Sequence, residues 1–314
     1  MAIKLERVTR LKLTIPEPFD FALTVAKPAG WDWSIPTEVF EDSAIWTAAN
    51  LGGRPVGLKL SSASSGHVAA AVYTRQELPD PARLDARSAL EFGLGKSNDL
   101  DGFYRFARKD DVLRRTVRDL FGMRVSRMDE IFGRVILAIS LQMAQLSRSR
   151  QMMDAVLRLY GTRVRFEGRE MILWPSPEKV ARLAPADLRE KANMGYRADR
   201  LSAAAKYLAD NPLSIRELDA LSDEEAVEEV MEIPGIGRYS AGIILGRLAP
   251  IDAWSVIVMS ELLLGKTPEN PRAEIDAVNG IIARRWGKWS WMAFAYVLND
   301  LENLARDYPL TRLT

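Results

Sequence analysis

Short runs of alternating apolar and polar residues fill the N-terminal part of the chain. They occur at residues 11–15 (LKLTI), 21–25 (FALTV), 31–35, 44–46, 56–60 (VGLKL) and 67–73 (HVAAAVY). Gly, Pro and Ser clusters separate them, so they predict an antiparallel sheet with one helix across it. Past residue 84 the period changes. Residues 86–92 read as a short helix that Gly93-Leu94-Gly95 ends, and Asn98-Asp99-Leu100-Asp101 is a polar turn suited to cap the next helix. From there the spacing is helical: over 101–108, over 111–121, and through two long helices within 128–160. The first of these places Ile131, Val135, Ile136, Ile139 and Met143 on one face. Residues 163–174 read as a loop or small hairpin. The pattern defines an α+β chain: an N-terminal antiparallel β-sheet domain over 1–95, followed by an all-α domain over 96–314.

The most informative stretch runs from 222 to 248. An acidic helix (222–232) meets Ile233-Pro234-Gly235-Ile236-Gly237, and a new helix starts at Arg238. Pro234 fixes φ and has no N–H, so it ends the first helix. Gly235 and Gly237 permit backbone angles closed to other residues and put no side chain in the way of an approaching group. The backbone N–H groups at the start of the second helix then suit a phosphate. After that helix comes Pro250-Ile251-Asp252-Ala253, a carboxylate on the entry to another apolar helix. Taken alone, Asp252 is most simply an N-cap.

Composition narrows the chemistry. The 314 residues carry no cysteine, which excludes disulfides, thiolate nucleophiles, structural Cys zinc sites and a Cys-ligated iron–sulfur cluster. One histidine, His67, speaks against a His metal site or a Ser-His triad. No run of 18 apolar residues and no signal peptide is seen, so no membrane association and a cytoplasmic or nucleoid-associated protein are expected. Net charge is +1, so a nucleic-acid surface would have to be local. Such an excess lies between 121 and 165, where Arg124, Arg127, Arg134, Arg148, Arg150, Arg158, Arg163 and Arg165 outnumber Asp129, Glu130 and Asp154. It fits a phosphate-facing surface, although solvated charge is the default for such a run.

The stretch from 233 to 252 resembles the helix-hairpin-helix DNA glycosylase superfamily, and most of residues 100–300 follow the same order of elements. The likeness is greatest to the AlkA-type 3-methyladenine enzymes. It implies that 96–314 is a helix-hairpin-helix glycosylase domain and that Asp252 is the catalytic residue. It implies too that Pro234, Gly235, Ile236, Gly237 and Arg238 hold the DNA backbone. Ile139-Ser140-Leu141-Gln142-Met143 is similar to the family's segment where one long helix turns into the next. There Gln142 takes the polar place and Met143 the apolar place that wedges into the duplex; a gap-filling core role is the other reading of Met143. Asn193-Met194-Gly195-Tyr196-Arg197-Ala198 is a second similar segment, in which Tyr196 either stacks near the flipped base or packs the helix start. Trp286, Trp289, Trp291 and Tyr296 are crowded near the C-terminus, and the resemblance implies that one or two of them, with Tyr239, line the base pocket.

Two departures refine what the resemblance implies. Lyase members carry a lysine two residues after the second hairpin glycine, where this chain has Tyr239, so strand cleavage by a Schiff base is not expected. The link from Leu245 to Asp252 is short, and no basic residue follows the Asp. The expected protein is therefore a monomeric, monofunctional glycosylase of base excision repair that acts on alkylated bases in duplex DNA. It needs no cofactor, although the resemblance allows a monovalent cation at the hairpin carbonyls. A glycosylase for 8-oxoguanine, hypoxanthine or uracil, and a non-catalytic helix-hairpin-helix DNA-binding protein, are the alternatives.

Overall fold

A computed structural model describes residues 2–26, 38–126, 130–247, 249 and 251–311. Its fold class is α+β, with antiparallel sheet and many helices. Contacts divide the chain into two compact units. One comprises the described residues within Met1–Glu17, Asp32–Lys96 and Ser126–Leu245; the other, those within Pro18–Trp31, Ser97–Val125 and Gly246–Thr314.

The first unit holds both sheets. Strands β1 (Ile3–Lys4), β2 (Arg7–Thr14), β3 (Val39–Glu41), β4 (Ala44–Leu51), β5 (Arg54–Ser64) and β6 (His67–Thr74) come from the N-terminal part, and β7 (Thr162–Phe166) and β8 (Arg169–Leu173) from further on. The large sheet has the order β2-β6-β5-β4-β3 and is antiparallel throughout. Its register pairs Leu58 with Val72 and Leu13 with Val68; buried side chains alternate along β6, while β4 is buried at six consecutive positions. The helix Asp80–Gly93 packs against β2 and β4 and buries Ala86, Ala89 and Leu90.

The segment 163–174 is a hairpin, closed by Glu167-Gly168 with φ of +44° and +73° at its tip. It forms a second sheet, β1-β7-β8, in which β1 runs parallel to β7. This hairpin belongs with the N-terminal strands rather than with a separate helical domain. Phe166 lies over Gly57 so closely that a Cβ there would meet its ring at 2.3 Å, and the Tyr73 ring stacks on Phe166 at 5.0 Å. Glu167 accepts from Trp46 Nε1 at 2.9 Å and pairs with Lys59 at 3.2 Å. The compact units therefore cross the boundary expected at residue 95, because contacts far apart in sequence tie 126–245 to the sheets.

The second unit is helical. Residues 21–25, whose alternation reads as a strand, form the helix Phe21–Ala26. The reason is local capping: Asp20 Oδ1 accepts from Leu23 N at 2.8 Å, and Thr24 Oγ1 in turn accepts from Arg124 N at 3.0 Å. The run at 31–35 lies outside the described residues. Asp99 caps Leu100–Ala107 through Gly102 N at 2.9 Å, as the polar turn predicts. The core of this unit gathers Phe103, Tyr104, Val258, Trp286 and Tyr296. Inside it Tyr104 and Tyr296 share a 2.9 Å hydroxyl contact, and Tyr296 donates to Met123 O at 2.5 Å.

Glu91 links the helix 80–93 to the large sheet. It is 6% exposed and accepts from Thr14 N at 2.9 Å, from Lys96 Nζ at 2.5 Å and from Arg87 Nε at 3.2 Å. Burial pushes its pKa up, but the bonds from Lys96, Thr14 and Arg87 outweigh burial and hold it below the ordinary value of 4.5. A depressed folded pKa means that the carboxylate's stabilisation is present above 4.5 and is lost as pH falls through the folded value. We expect Glu91→Gln to lower the urea unfolding free energy at pH 7 by about 2 kcal/mol. The gap to the parent should narrow in acid; a gap independent of pH would contradict the assignment.

Candidate functional site

The hairpin lies in the first unit. Ser222 opens the helix Asp223–Met231 with a capping box to Glu225. The chain then turns over Pro234 and Gly235, where Ile236 N donates to Ile233 O at 3.1 Å and Gly235 has φ +84°. Only a residue without Cβ takes that conformation easily. A Cβ on Gly237 would meet nothing within 4 Å, so the backbone there is open to an approaching group. The second helix is Arg238–Leu245. Arg238 forms a two-point pair with Glu224 at 3.0 and 2.9 Å, with both side chains exposed. An exposed pair of this kind holds little free energy. Tyr239 is 38% exposed. The carbonyls of Ile233, Gly235 and Gly237 already accept hydrogen bonds from Ile236 N, Gln142 Nε2 and Ala241 N. A cation at the hairpin would share these oxygens rather than find a preformed cage.

The turn after helix Ile131–Leu141 stands in the same unit. Ile131, Val135, Ile136 and Ile139 are buried on the helix as their spacing predicts. Met143 is not: the helix ends before it, its φ is +51° and it is 83% exposed. That exposure removes the gap-filling core role. Gln142 faces inward to the hairpin, its Nε2 donating to Gly235 O at 2.8 Å. Tyr196 is 47% exposed, and its hydroxyl donates to Gln142 O at 3.2 Å. The guanidinium groups of Arg197 and Arg200 lie 4.5 and 5.0 Å from its ring centre. Arg200 is absent from the residues singled out by sequence, because a partner 58 positions away leaves no local signal.

Asp252 lies in the second unit, at the start of the helix Ala253–Leu264. Its side chain accepts from Ser255 N at 2.8 Å, and Ser255 Oγ accepts from Asp252 N at 2.7 Å and donates to Asp252 Oδ1 at 2.8 Å. This capping box fixes the carboxylate on a rigid element. Beside it in sequence, Ala253, Trp254 and Ile257 line an open, largely apolar pocket with Asn270, Pro271 and Arg272. Trp254 carried no motif and was not anticipated.

The C-terminal aromatics divide. Trp286 and Tyr296 are 1% and 0% exposed, so the core takes the surface that a base would need. Trp286 Nε1 also donates to Asp110 Oδ2 at 3.2 Å. Trp289 and Trp291 are half-buried, and Trp289 packs on Phe103 at 5.8 Å with Lys288 over its face. Several of the described arginines between 121 and 165 bond to partners within the protein. Arg158 pairs with Asp154 at 2.7 Å, Arg163 and Arg165 both pair with Glu170, and Arg124 is buried. Arg148 donates to Asn193 O at 2.8 Å. Arg127 and Asp129 lie outside the described residues.

With an open PGIG hairpin and a carboxylate capping the helix Ala253–Leu264, the chain is similar to the helix-hairpin-helix DNA glycosylases. No family model matches it. Among curated proteins it is similar to the DNA-3-methyladenine glycosylase of Bacillus subtilis, 24% identical over 206 residues, covering 64% of this chain and 67% of that one. Among solved structures the fold is that of the 3-methyladenine DNA glycosylase from Archaeoglobus fulgidus. The TM-score is 0.77 at 21% identity, over 94% of this chain and 99% of the other. The 8-oxoguanine glycosylase/lyase of Clostridium acetobutylicum has the same fold, with TM-score 0.68 at 15% identity over 94% and 99% of the two chains.

Removing the cap partner tests the geometry at Asp252. Ser255→Ala should lower stability in thermal or urea unfolding by about 1 kcal/mol. An unchanged stability would mean that the box does not hold the helix start.

Proposed function

We propose that this protein is a monofunctional DNA glycosylase that flips a damaged, most simply an alkylated, base out of duplex DNA and hydrolyses its N-glycosidic bond. The observation that carries the reading is Asp252, a carboxylate fixed by its capping box at the start of a helix in a chain with the PGIG hairpin. A base inside a duplex is out of reach, so its nucleotide must be extruded, at a cost of a few kcal/mol. The hairpin amides around Gly235 and Gly237 bind the backbone beside the lesion and offset part of that cost. Met143, exposed at its turn, fills the space that the base leaves. Cleavage develops positive charge on the sugar, and the Asp252 carboxylate stabilises it and orients the attacking water. Tyr239 offers no amine, so base loss proceeds without a Schiff base and without strand nicking. Tyr239 in the first unit, and Trp289 and Trp291 in the second, keep surface with which a positively charged alkylated purine gains cation–π attraction. The partner is double-stranded DNA with one damaged base, bound by a monomer. Among the described residues no helix is long and apolar enough to cross a membrane.

The likeness to an 8-oxoguanine glycosylase/lyase supports an oxidised base as the second reading of the substrate. Single-turnover base release from duplexes that each carry one lesion separates the two. Release of methylated purines without nicking is the expected result; release of 8-oxoguanine keeps the chemistry and replaces the substrate. No release from any duplex, with binding retained, leaves a DNA-binding protein. Asp252→Asn keeps an acceptor for Ser255 N, and should cut base release by about a thousandfold or more while duplex binding stays within a few-fold. Survival of activity in that variant would overturn the mechanism. Tyr239→Lys should gain measurable nicking at the released site, seen on a denaturing gel.

A further inference from the structure

Gln142 is engaged at every polar atom of its side chain. Its Oε1 accepts from Arg200 Nη1, and its Nε2 donates to Gly235 O at 2.8 Å, with Ser240 Oγ at 3.4 Å. Arginine only donates and a carbonyl only accepts, so the two ends of the amide are distinguished by chemistry and one orientation is selected. Its backbone is held as well: Gln142 O accepts from Arg197 Nε at 3.0 Å and from the Tyr196 hydroxyl at 3.2 Å. The Arg200 chain also supports the hairpin from below, since a Cβ on Gly235 would stand 3.1 Å from Arg200 Cβ and 3.2 Å from its Cγ.

We infer that Arg200 is a positioning residue: it orients the Gln142 amide so that Gln142 ties the Met143 turn to the hairpin, instead of reading the duplex. The consequence rests on the glycosylase reading given above. Met143 sits at φ +51°, a conformation that side-chain-bearing residues seldom adopt, and it persists only where neighbours hold it. Those neighbours are Arg197, Tyr196 and, through the Gln142 amide, Arg200 and Gly235. The hairpin that grips the backbone and the residue that enters the duplex then move as one body. Gripping thus delivers the wedge without a separate ordering step, which lowers the entropic cost of extrusion.

The test uses the full chain with Arg200→Met, which keeps an unbranched chain beneath Gly235 but no donor, and Arg200→Lys, which restores a donor. The first readout needs no DNA: hydrogen exchange of the Gln142 and Ala144 amides, which donate to Ile139 O and Leu141 O. In Arg200→Met their exchange should speed up by about tenfold, the factor set by one lost bond to a charged group. The second readout is single-turnover base release on a duplex that the parent processes. The maximal rate should fall by about tenfold while the half-saturating concentration moves less than about twofold, and Arg200→Lys should recover part of both losses. Unchanged exchange would overturn the tie. An unchanged maximal rate with weakened half-saturation would also overturn the proposal, by making Arg200 a phosphate contact. If the parent releases no base from any duplex, the glycosylase reading fails, and the exchange measurement still judges the tie by itself.

Discussion

Gln142 stands where the end of helix Ile131–Leu141, the start of helix Arg197–Asp210 and the hairpin around Gly235 meet, and its amide and carbonyl bond to all of them. Buried apolar residues pack these elements together, and each ends in a turn with polar backbone to satisfy. A side-chain amide is the smallest group that both donates and accepts at fixed separation, so it meets two such demands at once. The guanidinium groups of Arg197 and Arg200 complete the junction. The exposed part of the first unit that matters, Met143 with Gly235 and Gly237, is thereby carried on a rigid base.

The two units divide the candidate residues between them. Hairpin and turn lie in one; the carboxylate, the half-buried tryptophans and their core lie in the other. Each candidate point is held for its own reason: by bonds to Gln142 in the first unit, and by a capping box on a largely apolar helix in the second.

Legibility in the sequence followed the range of the interactions. The hairpin, the cap at Asp252, the turn at Asp99 and most strands depend on neighbours a few residues away, and their patterns named them. Residues 21–25 misled because FALTV alternates as well as any strand; the decisive bonds come from Asp20 beside it and Arg124 a hundred residues on. The hairpin at 162–173 escaped assignment to the sheets because its partners, Ile3 and Gly57, are distant in sequence. Crowded tryptophans and tyrosines suggest a pocket and a core equally, and only burial separates Trp286 and Tyr296 from Trp289 and Trp291.

The arginines show the same limit in charge. Counted along the sequence, the excess from 121 to 165 resembles a surface for phosphates. In the fold Arg158, Arg163 and Arg165 pair with nearby carboxylates, while Arg124 and Arg148 hold backbone carbonyls. Charge already paired in this way presents less net field to a polyanion than the count along the sequence suggests. On the proposed reading, a chain of net charge +1 organised like this would rely on backbone amides at a hairpin and on apolar insertion. These are short-range devices: they act after contact, and they favour a duplex that yields locally over one that is merely negative.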